Sequence, residues 1–244
     1  MTDAARLYEV WVYLQAEPLF WLTLTLGCYL LADGLYRAAR LFPLLNPVAV
    51  TILLVSAVLV GFGIDYERYF NGAKFIHFLL GPATVALAVP IYTHWSTVRA
   101  ARWPIMVAVL AGSFFAIAIT WGLAVALGLE ASTIKSLLPR SVTAPIAMGI
   151  ADMIGGVPSL TAIITIATGI TGAALGRFVL DMASIRSTAA RGFALGLASH
   201  GIGTARAMAK DPKAGVFAAV AMGLSGVVTA MIISLIFHLL TVMI

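Results

Sequence analysis

Toward its C-terminal end the chain carries Ser199-His200-Gly201-Ile202-Gly203-Thr204, followed by Arg206. Glycines let a backbone unwind and approach a ligand. Amides freed where a helix is broken hold anions, and the Ser199 and Thr204 hydroxyls with the Arg206 guanidinium extend such a site. Arginine grips a carboxylate through two parallel hydrogen bonds. His200 lies mid-run between a serine and a glycine, and its ionisation range suits proton coupling. Each has a plainer reading. His200 packs helices through a hydrogen bond, or Arg206, close to Lys210, snorkels to a membrane surface.

A second polar stretch reads Pro139-Arg140-Ser141-Val142-Thr143-Ala144-Pro145. Ser141 and Thr143 flank a prolyl break at Pro145, where hydroxyls either satisfy orphaned amides or touch a substrate or ion. Arg140 stands at the mouth of this stretch. Asp152, where it ends, pairs with a cation or caps the next helix. Gly81, Pro82 and Thr84 form a matching break in the first half. Asp33 stands one helical turn before Arg37, the spacing of an ion pair, and Asn46-Pro47 reads as a helix start. No Walker loop, HExxH or GxSxG occurs, and the four histidines lack metal-ligand spacing. The expectation is a protein that is not an enzyme and needs no cofactor or metal beyond a coupling H+ or Na+.

The elements that must position these residues follow from composition. Of 244 residues, 10% are charged and 61% hydrophobic, with a mean hydropathy of +1.03. A soluble domain averages about 25% charged residues, so these figures exclude a soluble enzyme and a disordered chain. The solvent that fits is the bilayer, where a spanning helix takes about 20 residues. The net charge of +5 collects between apolar runs, as cytoplasmic loops collect Lys and Arg, so nucleic acid is not an expected partner. The fold expected is all-α: a polytopic membrane bundle of about seven or eight segments with discontinuous helices.

Along the chain, residues 1–17 form an N-terminal interfacial helix and 18–244 a single transmembrane domain. Asp65 to Lys74 reads as a loop, and Phe75 to Trp95 as an apolar segment interrupted at Gly81-Pro82 and Pro90. Ser141 to Met153 is too short to span. Strict alternation puts the Arg99/Arg102 loop and the Arg177/Arg186/Arg191 loop on opposite sides, against the positive-inside rule. A re-entrant segment at Ser141 to Met153 restores agreement. Paired interrupted segments suggest repeats, at 18–128 and 138–244, around a midplane site.

Three stretches carry a family resemblance. LLGPATVALAVPIY (Leu79 to Tyr92), LPRSVTAPIAMGIA (Leu138 to Ala151) and ASHGIGTARA (Ala198 to Ala207) resemble, in order and spacing, the signature segments of the LrgB/CidB family. The family often has Lys where this chain has Arg140, which keeps the charge. The resemblance implies a bacterial inner-membrane protein, usually paired with a small LrgA/CidA-type membrane protein and expected to be a homo-oligomer. Such pairs were first described as antiholin/holin-like regulators of murein hydrolase activity and lysis. Relatives include the plastidial glycolate/glycerate translocator, and bacterial members are linked to pyruvate uptake. The family is grouped with cation–proton antiporter and bile-acid symporter folds, which have inverted repeats. The function implied is transport of a small monocarboxylate, with lysis regulation as the alternative. The site expected comprises Thr84, Ser141, Thr143, Asp152, Ser199, His200, Thr204 and Arg206, with helix breaks at Gly81, Pro82, Pro145, Gly201 and Gly203.

Overall fold

A computed structural model describes residues 17–40, 42, 45–86 and 88–242. The interfacial helix expected at 1–17 therefore lies almost wholly outside the described residues. The chain divides into two compact units, residues 1–84 and 85–244. All regular structure among the described residues is helical.

The first unit contains α1 (Pro18–Ala38), α2 (Pro47–Gly61) and most of α3 (Tyr66–Ala86). Pro18 and Pro47 open their helices, and the Asn46 side chain accepts from the amides of Val48 and Ala49 at 3.0 and 3.3 Å. Asp33 and Arg37 form the expected pair at 2.7 Å. Two expectations fail here. Asp65 to Lys74 is not a loop: the Asp65 carboxylate accepts from Glu67 N and α3 begins at Tyr66. The physical reason is an aromatic ladder at helical spacing, with Tyr66 stacked on Phe70 and Phe70 edge-on to His77. Nor is Gly81-Pro82 a break, because α3 runs through Pro82 to Ala86. A proline costs one backbone hydrogen bond and a clash one turn back, which this helix absorbs.

The second unit opens with two short helices, α4 (Ala88–Thr93) and α5 (Trp95–Ala100), before the long α6 (Arg102–Ala126). Then come α7 (Ala131–Leu137), α8 (Ala144–Met153), α9 (Pro158–Met182), α10 (Thr188–Lys210) and α11 (Pro212–Val242). Helices α1, α6, α9 and α11 are long and apolar enough to cross a membrane, and the protein is a helical membrane protein. The N-terminus of α8 places Pro145 in its first turn, so Pro145 starts a helix instead of interrupting one.

The segment before α9 closes on itself. The Ser136 hydroxyl accepts from Val157 N at 2.7 Å, and the Thr161 hydroxyl donates to Ser136 O at 3.0 Å. The chain thus leaves the end of α7, turns at residues 139–143, and returns through α8 to where it left. Ten residues of α8 rise about 15 Å, half a hydrocarbon core. This is the geometry of a re-entrant segment.

Helix α10 departs furthest from expectation. Ser199 (φ −130°, ψ 15°) and His200 (φ 40°, ψ −132°) are non-helical and reverse the chain. Gly203 on the outgoing arm abuts Leu195 O and Ser199 of the incoming arm, so that a Cβ there has no room. Gly192 and Gly196 lie against the backbones of Ala214 and Ala218, so the incoming arm runs parallel to α11 in close contact. Residues Thr188 and Lys210, at the two ends of α10, line one small cavity. α10 is therefore a hairpin and not a crossing helix. The left-handed position belongs to His200 and not to Gly201 or Gly203, which keep negative φ.

A hairpin followed by a long helix thus occurs twice, α7–α8 then α9, and α10 then α11. The first closes at the N-terminus of α9 and the second opens beside its C-terminus. The α7–α8 reversal meets the charge problem, because it leaves α6 and α9 as the two long helices between the basic loops. Val98 and Ile105 pack with Val216 and Phe217, next to Ala189 and Phe193. The loop bearing Arg99 and Arg102 and the start of α10 therefore share one end of the unit. In a Cys28→Ser background, single cysteines at Ser184 and Lys213 should react with a membrane-impermeant maleimide from the same face. One at Glu130 should react from the other face. Labelling of Ser184 and Lys213 from opposite faces would refute the hairpin.

Candidate functional site

The two reversals meet on the middle of α9. One face of that helix presents Thr161, Thr165, Gly169 and Ala173, all buried, at the four-residue spacing of a helix stripe. The His200 imidazole lies against Gly169. Its Nε2 stands 2.8 Å from Thr165 O. A carbonyl only accepts, so Nε2 carries the hydrogen. In the neutral ring, Nδ1 then keeps the lone pair and can take up a proton. The next turn of α9 receives Ser199, whose hydroxyl presses on Gly172.

His200 occupies a backbone region that costs a non-glycine residue about 1–3 kcal/mol. A glycine there would relieve the strain but would have no ring to bond Thr165. The outgoing arm is then secured by Thr204, whose hydroxyl donates to His200 O at 2.8 Å and touches Met222 Sδ at 3.7 Å. Thr204 thus serves the apex as a brace.

The tip of the other hairpin reaches the same stretch of α9. Arg140 Nε donates to Thr120 Oγ1 at 3.0 Å and Nη1 to Thr168 Oγ1 at 3.4 Å. Thr120 Oγ1 gives its own hydrogen to Ala116 O, which leaves its lone pairs turned to the guanidinium. Among the described residues no carboxylate forms a salt bridge with Arg140. A cavity of about 710 Å³ is lined by Arg140, Thr120, Thr168, Thr171, Gly172 and Ala198, with apolar walls. A partly buried cation with only hydroxyl partners in apolar surroundings presents unspent donors to an anion. The N-termini of α8 and of the outgoing arm of α10 lie next to the two turns and carry partial positive charge.

Of the expected residues, the structure brings Ser199, His200 and Thr204 together at one tip and Ser141 and Thr143 at the other. Ser141 is buried, and the Thr143, Thr165 and Ser199 hydroxyl oxygens are buried without a hydrogen-bond partner. Asp152 is exposed at the far end of α8 from Arg140. Arg206 lines a different cavity, at the open end of the α10 hairpin. Both lie apart from the meeting point, since reversal of each hairpin carries them back toward an end of the unit. Gly81 and Pro82 are exposed on α3 in the first unit, and the side chain of Thr84 lies outside the described residues. Residues Thr120, Thr165 and Thr168 are additions that sequence reasoning missed. The available signal was the threonine and glycine spacing of α9.

The LrgB-like family pattern matches residues 25–239. The Bacillus subtilis protein YxaC is 40% identical over 185 residues, 76% of this chain and 80% of its own. The antiholin-like protein LrgB of Bacillus subtilis is 31% identical over 217 residues, 89% of this chain and 94% of its own. Its Bacillus mycoides counterpart is 31% identical over 216 residues, 88% and 94% of the two chains. No solved structure matches.

The strain at position 200 separates backbone from side chain. His200→Gly should unfold at a midpoint above that of His200→Ala by about 1 kcal/mol of stability, in a denaturation series in detergent. Equal stability of the two variants would show that position 200 carries no backbone strain.

Proposed function

The chain belongs to the LrgB-like family, and from that premise we propose that it is a secondary transporter of a small monocarboxylate of the pyruvate, glycolate or glycerate kind. The observation that carries this reading is Arg140, held by Thr120 and Thr168 without a carboxylate partner in an apolar cavity. A partly buried cation within a membrane bundle is costly and marks a substrate or ion path. A short carboxylate pairs with the guanidinium bidentately, and its small apolar remainder suits the cavity walls. Two half-helix N-termini beside the site add favourable dipoles, as in transporters built from inverted repeats.

Ser141, Thr143, Ser199 and Thr204 supply further polar contact or bracing at the two tips. The partnerless hydroxyls of Thr143, Thr165 and Ser199 are the kind of buried polar atoms that call for a ligand. His200 couples transport to H+ through Nδ1, with Na+ at the orphaned hydroxyls as the other candidate ion. Rocking of the hairpins against α9 gives alternating access. The basic end that gathers Arg99, Arg102, Arg186 and Arg191 faces the cytoplasm of a bacterium by the positive-inside rule, across the inner membrane. An LrgA/CidA-type protein and further copies of the chain are the expected partners.

A second reading follows from the two relatives named antiholin-like: regulation of murein hydrolase activity and lysis. Counterflow of labelled short carboxylates into proteoliposomes, with and without an LrgA-type protein, separates the two. Arg140→Gln should lower uptake at least about tenfold, the worth of one charge-assisted hydrogen-bond pair, and Arg140→Lys should retain more. Thr168→Val should raise the half-saturation concentration. Wild-type uptake by Arg140→Gln removes the site assignment, and no counterflow with any carboxylate favours the lysis reading.

A further inference from the structure

The open end of the α10 hairpin holds a second cavity, about 220 Å³, away from the Arg140 site. Arg177 of α9, Arg191 of the incoming arm, and Arg206 and Lys210 of the outgoing arm all line it. Two carboxylates accompany these four cations. Asp181 binds Arg191 at 2.6 Å and Arg177 at 3.4 Å. Asp211 accepts from the amides of Lys213 and Ala214 at 2.8 and 3.1 Å, which caps α11. Four cations against one carboxylate among the residues that line it make this small concavity predominantly basic. The N-terminal turn of α10, at Thr188, lies on the same cavity and adds its dipole.

The surroundings select the kind of anion. The floor is apolar, formed by Leu180, Leu195, Ala207 and Ala214. The adjoining last turns of α9 expose Phe178 and Met182, at 67% and 71%. A headgroup held at the cations thus has hydrocarbon surface directly beside it. A free phosphate would use the charges alone and leave that surface unmatched. Basic concavities between membrane helices on the cytoplasmic side suit the phosphates of anionic lipids.

We propose that this cavity binds the phosphate of an anionic phospholipid, which bridges the two arms of the α10 hairpin to α9. Arginine forks the phosphate oxygens, and Lys210 adds a point charge. Because Arg191 and Arg206 lie on opposite arms, one bound phosphate clamps the hairpin at its open end. The inference is independent of what the Arg140 cavity transports, since its test reads lipid retention.

The test uses the full chain purified in detergent and titrated with phosphatidylglycerol, phosphatidylcholine or inorganic phosphate, with native mass spectrometry and thermal unfolding as readouts. One phosphatidylglycerol should be retained in preference to phosphatidylcholine, with a higher unfolding midpoint. Lys210→Gln should lower that preference about fivefold, and Arg206→Gln with Lys210→Gln about 30-fold, from the worth of each cation near an anionic headgroup. Arg186→Gln, which does not line the cavity, should keep it. If the double variant does not fold, the exposed single Lys210→Gln still decides. Equal retention of the two lipids, or a preference unchanged in Lys210→Gln, overturns the proposal. Stabilisation by inorganic phosphate with none by phosphatidylglycerol overturns the lipid and assigns a soluble phosphate compound.

Discussion

The hydrogen bond from His200 Nε2 to the Thr165 carbonyl ties a chain reversal to the middle of a long apolar helix. Within a bilayer, water does not satisfy an exposed turn, and each unpaired backbone group costs several kcal/mol, so non-helical backbone persists only where protein encloses it. The α10 hairpin meets that demand with the imidazole, with Thr204 turned back on His200 O, and with the glycine face of α9. The strain at position 200 is the cost of putting a hydrogen-bonding ring where a glycine would be easier.

Close packing makes the rest possible. Lipid tails are as apolar as leucine, so helices in membranes associate through fit and through interhelical hydrogen bonds. Gly192 and Gly196 bring α10 onto α11, and Gly169 and Gly172 admit the apex to α9. The same closeness carries Arg140 within reach of two hydroxyls from different helices. The candidate site is thus a product of two hairpins, neither of which builds it alone. The basic end of the α10 hairpin is set by the same reversal, which returns Arg206 and Lys210 to the level of Arg191.

Much was legible from residue types. Scarce charge and long apolar runs allow no solvent but lipid, Asn46-Pro47 announces a helix start, and Asp33 and Arg37 stand at pairing distance on one face. The broken character of the 199–204 region was also readable, as was the shortness of the segment at Ser141 to Met153. The assignment of Gly81-Pro82 as a break misled, because a helix can carry a proline when neighbouring turns hold.

By itself, then, the sequence determined the solvent, the helical class, and the places where helices are weak, since these depend on composition and local backbone chemistry. Only the tertiary structure decided that α10 turns back instead of crossing, that His200 and not a neighbouring glycine takes the left-handed turn, and that Arg140 meets Thr120 and Thr168. Those outcomes depend on contacts between residues 20 to 35 positions apart. Apolar periodicity reports which face of a helix is buried, but not which helix covers it. That is why Arg206, six residues beyond His200 in the chain, lines a cavity at the open end of the hairpin while His200 sits at its apex on α9.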